Sequence, residues 1–379
     1  MLDFEFNQSQ KIVFGTGKIN EAGNLGKVFG KRAILVCDPF CRQSGTAGRV
    51  LNSLKAAGIS CAVYDEVIPN PTCDSIDKAA ALALATDSEF VIGLGGGSSM
   101  DTAKGTAVAA RQPGGIWDYA IGNKPISDNV MPVMAISTTS GTGSQCTMFA
   151  VITNPRTRQK PGMGSPYILP KIAIIDPELM LTLPQGQTLI TGFDVFCHAV
   201  EAYTSNASSP ISDVYAERAI ELTARYLPTV YREGGNLEAR SMMALADTFA
   251  GMAINNAVVS LAHVMAHVIG GHCEDVAHGD ALYAIYREVL KFNSAALPEK
   301  HCFIARQLEP GSDDVVSAFD HFYKQFSFIN KFKEKCRLEP NLIDIVAKDT
   351  FTYMSGIVGL NPVTADVDAV RQIIRKSVE

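Results

Sequence analysis

Short apolar runs that each end in turn chemistry constrain this chain more than any other feature. Residues 33–37 (AILVC) run into DPF, 90–94 (FVIGL) into three glycines, 132–136 (PVMAI) into STTSGTG and 172–175 (IAII) into DPE. Helix-like segments, 45–57 and 73–85 among them, lie between these runs. Continuous apolar runs of this length mark strands buried on both faces, and strands separated by helices pair in parallel. The reading is a mostly parallel sheet, and such sheets bind ligands beyond the carboxyl ends of their strands.

The pattern changes after about residue 184. Segments 212–227, 238–257 and 341–354 carry apolar residues at helical spacing, with no strand signal between them. A length of 379 residues suits two cores better than one. With 47% hydrophobic and 19% charged residues, both cores can be filled. The expected fold is an α/β N-terminal dinucleotide-binding domain over 1–183 and an all-α C-terminal domain over 184–379.

A formal charge of −6 with no basic run argues against nucleic acid or an anionic membrane surface as partner. No apolar stretch reaches the roughly 18 residues that a membrane span needs. The N-terminal MLDFEFNQSQ lacks the apolar segment of a signal peptide, so a cytoplasmic location is expected. The nine cysteines are scattered without a CxxC pair and read as reduced thiols rather than a disulfide framework.

In 90-FVIGLGGGSSMDTAKGTAVAA-110, Gly95, Gly96 and Gly97 separate a buried strand from a helix that opens with Ser98, Ser99 and Asp101. Glycines admit a ligand close to the backbone, and a helix N-terminus offers free N–H groups to a phosphate. The segment matches neither GxGxxG nor GxxxxGK[ST]. A tight strand-to-helix connection would use the same glycines without any ligand. A second loop, 137-STTSGTGSQCT-147, follows another strand and adds hydroxyl donors, Thr138, Thr139 and Thr142 among them. Asp38 ends the strand AILVCD. A carboxylate there either begins a turn before Pro39 or accepts from ribose hydroxyls, repelling a 2′-phosphate and favouring NAD(H) over NADP(H).

Four of the seven histidines, His263, His267, His272 and His278, fall within sixteen residues. His263 and His267 share a helix face, as do Asp194 and His198 in 191-TGFDVFCHAVEAYTS-205. One carboxylate with several imidazoles suits Fe(2+), Zn(2+) or a related ion, whereas a lone His pair on an apolar helix is ordinary core. Glu201 and His272 stay open between supporting roles and plain surface. Trp117, Phe149, Phe196 and Phe249 are either pocket lining or core.

The markers FGTG (14–17), PNPT (69–72), GGGSSMDTAK (95–104), STTSGTGSQCT (137–147), DPELMLTLP (176–184), FDVFCHAVEAYTS (193–205) and HVMAH with a later HG (263–279) resemble the iron-containing (group III) alcohol dehydrogenases, within the dehydroquinate synthase-like fold. The resemblance spans almost the whole chain. It implies a dinucleotide-binding domain and a helical domain flanking a cleft. It implies Asp194, His198, His263 and His278 as metal ligands, with His267 beside the substrate. It implies NAD(P) on Gly95–Ser98 and Asp101, reaching Thr138, Thr139 and Thr142 and contacting Asn70, Lys160 and Leu179. A homodimer or larger homo-oligomer is expected. Gln145 stands where the family usually has Glu, and Ala277 where Pro precedes the final His. The interval from His267 to His278 is eleven, one longer than is common, which leaves His272 as the reserve ligand.

The implied reaction is reversible hydride transfer between a small alcohol or functionalised aldehyde and the nicotinamide, with the metal activating the oxygen and His267 relaying the proton. A dehydroquinate synthase-like lyase or cyclase is the rival. It would be expected to bring more Lys and Arg for a phosphorylated, carboxylated substrate.

Overall fold

In the computed structural model, residues 3–273, 275–326, 332, 336 and 338–378 are described. The chain divides into two compact units, Gln8–Thr182 and Met1–Asn7 with Leu183–Glu379. The first holds a six-stranded sheet of β1 (Lys11–Phe14), β2 (Arg32–Cys37), β3 (Ser60–Tyr64), β4 (Phe90–Gly95), β5 (Val133–Ser137) and β8 (Ile172–Ile175). Their order is β1-β8-β5-β4-β2-β3, and every pairing is parallel. A separate antiparallel pair joins β6 (Phe149–Val151) and β7 (Gly162–Gly164).

The four strands legible as apolar runs are the four inner ones. The edge strands β1 and β3 are only partly covered, so their compositions, KIVF and SCAVY, are mixed. Side chains alternate between the faces. Leu35, Cys37, Ile92 and Leu94 pack with Val50 and Leu54 of α3 (Thr46–Ala56). Ile34, Val36 and Val91 pack with α4 (Cys73–Ala85) and α5 (Gly97–Ala109) on the other face. The small helices α1 (Ala22–Gly26), α2 (Pro39–Gln43) and α6 (Ile116–Ala120) complete this unit.

Gly93 lets α5 lie tight against β4. A Cβ there would come within 2.9 Å of the Ala103 Cβ and 3.1 Å of the Met100 Cα. That contact seats the N-terminus of α5 at the carboxyl end of the central strand.

The second unit is helical: α7 (Gln185–Thr204), α8 (Pro210–Arg232), α9 (Leu237–Ala257), α10 (Leu261–His272), α11 (His278–Asn293), α12 (Pro298–Leu308), α13 (Val315–Lys324), α14 (Pro340–Tyr353), α15 (Ser355–Val358) and α16 (Val367–Val378). Among the described residues, no single helix is long and apolar enough to cross a membrane. Phe193 and Phe196 of α7 are fully buried against Tyr286, Phe319 and Tyr323, which makes Phe196 core rather than pocket lining. The N-terminal segment groups with this unit: the Asn7 N–H donates to Asn256 Oδ1 at 2.7 Å, and Phe6 stacks on Tyr215.

One expectation needs correction. Cys273 and Cys336 form a disulfide, with Cα atoms 5.7 Å apart. They are 63 residues apart, so no local spacing signals the pair; tertiary packing brings them within bonding reach. The other seven cysteines are free thiols.

Gly93→Ala is expected to destabilise the protein by about 1–3 kcal/mol through overpacking, seen as a lower urea midpoint. An unchanged midpoint would contradict the tight seating of α5 on β4.

Candidate functional site

Asp194 and His198 lie one turn apart on α7, and both are buried. The Asp194 Oδ1 is the common point of the site. It lies 3.3 Å from His263 Nε2 on α10, 3.7 Å from His278 Nε2 at the first residue of α11, and 3.9 Å from His198 Nδ1. Ligand-capable atoms of Asp194, His263 and His278 all lie within 4.8 Å of one another. The His198 ring stacks on that of His263, with centroids 4.3 Å apart.

Gly279 explains how α11 reaches this point. A Cβ there would fall 1.9 Å from Ile190 Cγ2 of α7, so only glycine lets the N-terminus of α11 close onto α7. His278 therefore faces Asp194. The reserve candidate, His272, points elsewhere: its Nε2 lies 2.8 Å from Asp349 Oδ2 of α14. The His267 ring is 4.9 Å from that of His278 and 6.4 Å from that of His263, at the margin of the same cluster.

Glu201, left open by the sequence, is buried one turn beyond His198, and its Oε1 lies 2.7 Å from His263 Nδ1. Burial alone would push the Asp194 carboxyl up. His198, the hydrogen bond from His263 and His278 outweigh it and hold that group down at about 2. Burial would equally suppress a charge on His263, yet Glu201 and Asp194 raise its pKa to about 10. The His263 ring therefore lies between two buried carboxylates, Glu201 on its Nδ1 side and Asp194 on its Nε2 side, where His278 also points. On that side the imidazole nitrogens and the Asp194 carboxylate oxygen are suitable donors for Fe(2+) or Zn(2+).

In the α/β unit, two further segments close on the glycine turn, the strand end at Asp38 and the loop at 138–142. A Cβ on Gly95, which has φ +143°, would meet Ser99 Oγ at 2.4 Å and Asp38 Oδ2 at 3.1 Å. One on Gly96 would meet Thr139 Oγ1 at 3.3 Å, and one on Gly97 would meet Thr142 Cγ2 at 2.7 Å. Thr138 N–H donates to the Gly95 carbonyl at 3.0 Å. Ser98 lies in the opening turn of α5 beside them. The turn is a cradle that any side chain would fill. Asp38 also caps α2, its Oδ1 accepting from Cys41 N–H at 2.9 Å, so it serves a turn as well as standing beside Gly95.

Asp101 points into the scaffold. Its Oδ1 accepts from Ser144 Oγ–H at 2.7 Å and its Oδ2 from Val151 N–H at 2.9 Å. Lys104, which the sequence reading missed, is fully buried and donates to Ser144 Oγ at 2.8 Å and to the Phe149 carbonyl at 2.6 Å. Burial lowers its pKa to about 8, with Asp101 opposing that shift. The signal was available in the one-turn spacing of Asp101 and Lys104 on an otherwise small, apolar helix. Lys160 Nζ donates to Asn70 Oδ1 at 2.7 Å, and Asn70 adopts a left-handed backbone at φ +56°. Leu179, in a tight turn capped by Asp176, packs on the sheet core.

Family models match both units: one described as iron-containing alcohol dehydrogenase over residues 9–177, and one for the C-terminal part of the same family over 188–378. The NAD-dependent methanol dehydrogenase of Bacillus methanolicus is 32% identical over 375 residues, 96% of this chain and 97% of that protein. The 1,3-propanediol dehydrogenase of Klebsiella pneumoniae is 36% identical over 346 residues, 90% of this chain and 89% of that protein. Among solved structures, an archaeal halo-thermophilic alcohol dehydrogenase from a Red Sea brine pool superposes with a TM-score of 0.95 at 34% identity. It covers 100% of this chain and 99% of its own.

His278→Ala is expected to leave less than stoichiometric metal after loading, while His272→Ala retains full metal, both read by elemental analysis of folded protein. The reverse pattern would make His272 the ligand.

Proposed function

The chain belongs to the iron-containing alcohol dehydrogenase family and is an oxidoreductase acting on alcohols, and on that premise we propose its substrate, cofactor and site residues. It interconverts a small alcohol and its aldehyde, with NAD(H) favoured over NADP(H), at a divalent metal held by Asp194, His198, His263 and His278. The single observation that carries the metal reading is the convergence of three imidazoles on the Asp194 Oδ1.

Bound there, the cation would act as a Lewis acid, lowering the pKa of an alcohol and polarising an aldehyde carbonyl. The nicotinamide would supply the hydride chemistry, and the protein contributes position and field. Asp194 and Glu201 provide the negative charge that retains a divalent ion in a buried site. The bare backbone of Gly95–Gly97 and the N-terminus of α5 admit the cofactor's phosphates, and Thr138, Thr139 and Thr142 stand around them. Asp101 and Lys104 brace that loop from beneath. Asp38 accepts from the ribose hydroxyls and disfavours a 2′-phosphate. His267, at the margin of the metal cluster, takes or returns the alcohol proton.

NADH accumulation with simple alcohols, and its reversal with aldehydes, tests this reading on metal-loaded protein. A lyase of the dehydroquinate synthase type would accumulate no NADH. Two variants test the parts. His267→Ala is expected to keep its metal and bind NAD while kcat falls roughly 10²-fold; loss of metal would make it a ligand, and an unchanged rate would make it core. Asp38→Gly is expected to narrow the gap between NAD and NADP in kcat/KM. Equal kcat/KM for the two cofactors in the unmodified protein would contradict the role given to Asp38.

A further inference from the structure

Both oxygens of the Glu201 carboxylate are engaged, and they serve different ends of one device. Oε1 accepts from His263 Nδ1 at 2.7 Å. Oε2 accepts from the Ser260 backbone N–H at 2.5 Å and from Ser260 Oγ–H at 3.0 Å. Three donors on one buried carboxylate mean that it acts only as an acceptor. His263 must then carry a hydrogen on Nδ1, which leaves Nε2, the nitrogen 3.3 Å from Asp194 Oδ1, as the one that can give up its proton and turn a lone pair to a cation. A histidine free to choose its tautomer would present the wrong nitrogen part of the time.

The same carboxylate fixes where α10 begins. Ser260 is the residue before that helix and makes no side-chain cap of its own. Glu201 supplies the missing acceptor and places negative charge at the helix N-terminus. The turn before it is strained: Val258, a β-branched residue, sits at φ +60° where α9 and α10 meet at 98°. His263 lies in the first turn after this bend, so its position depends on how firmly the bend is held.

Behind Ser260 the support continues. Its Oγ also lies 3.4 Å from Asn361 Oδ1, an alternative acceptor for the same single hydroxyl hydrogen. Asn361 is buried and exchanges paired amide hydrogen bonds with Asn293, at 2.9 and 2.7 Å. Asn293 ends α11, the helix that starts at His278. Asn206, just beyond the end of α7, donates to the Asn361 carbonyl at 2.9 Å. The network thus reaches all three helices that carry the candidate ligands.

We propose that Glu201, braced by Ser260, is the positioning residue that fixes the tautomer and placement of His263 and so sets the site's affinity for its divalent cation. This rests on the reading of Asp194, His198, His263 and His278 as the metal site. Carboxylates behind a metal-bound imidazole typically contribute 10–100-fold in metal affinity.

The test is a Zn2+ competition titration against a chromophoric chelator, on unmodified protein and Glu201→Gln. The glutamine keeps the size, but its amide cannot accept from all three donors. Its Kd for Zn2+ is expected to rise roughly 10–100-fold, with far-ultraviolet circular dichroism unchanged. The Co2+-loaded variant is expected to show an altered visible spectrum, which a merely structural role would not produce. Equal Zn2+ affinity in folded Glu201→Gln would overturn the proposal. Should that variant fail to fold, the tautomer is read in the unmodified Zn2+-loaded protein by long-range 1H–15N correlation. A His263 ring protonated on Nδ1 supports the proposal, and one protonated on Nε2 overturns it. Failure of the unmodified protein to take up Zn2+ would instead overturn the metal reading beneath it.

Discussion

One buried carboxylate, that of Asp194, organises the functional end of the helical unit. Three imidazoles from three helices share its Oδ1, and Glu201 adds a second negative charge behind one of them. Charges taken out of water need close partners. Removing one partner from such a buried set leaves an uncompensated charge, at a cost of about 3–5 kcal/mol. The helices are therefore held to an electrostatic arrangement as well as to an apolar core. The raised pKa of His263 follows from its place between the two carboxylates, with Glu201 on Nδ1 and Asp194 on Nε2. An iron-containing alcohol dehydrogenase needs a divalent ion where it activates the alcohol, and the charge balance of these residues favours one there.

A second constraint is the absence of side chains at a few backbone positions. Gly279 lets α11 close on Ile190, which carries His278 to Asp194. Gly95, Gly96 and Gly97 let Asp38, Ser99, Thr139 and Thr142 crowd around one turn without filling it. In both units the chemistry stands where a Cβ would not fit. The acidic and hydroxyl groups are then placed by ordinary means: a strand end for Asp38, a loop after β5 for the threonines, and one helical turn for Asp194 and His198.

The inner strands were legible because burial on both faces leaves uninterrupted apolar runs, as in β2, β4, β5 and β8. The edge strands β1 and β3 were not, because a half-covered edge tolerates lysine, serine and cysteine. The helical spacing of 212–227, 238–257 and 341–354 corresponds to α8, α9 and α14. At the site, the i,i+4 pairs were readable since α-helical geometry makes them local. The choice between His272 and His278 was not, because it turns on the contact of Gly279 with Ile190 and on the distant Asp349. Glu201 was ambiguous for the same reason: its partners, Ser260 and His263, lie about sixty residues away. The Cys273–Cys336 bond likewise depends on tertiary packing alone.

X-ray absorption at the metal edge of Fe(2+)- or Zn(2+)-loaded protein tests the central arrangement most directly. The account expects a mononuclear site of three imidazole nitrogens and one carboxylate oxygen at roughly 2.0–2.2 Å. A sulfur ligand, or a metal with a single imidazole, would contradict it.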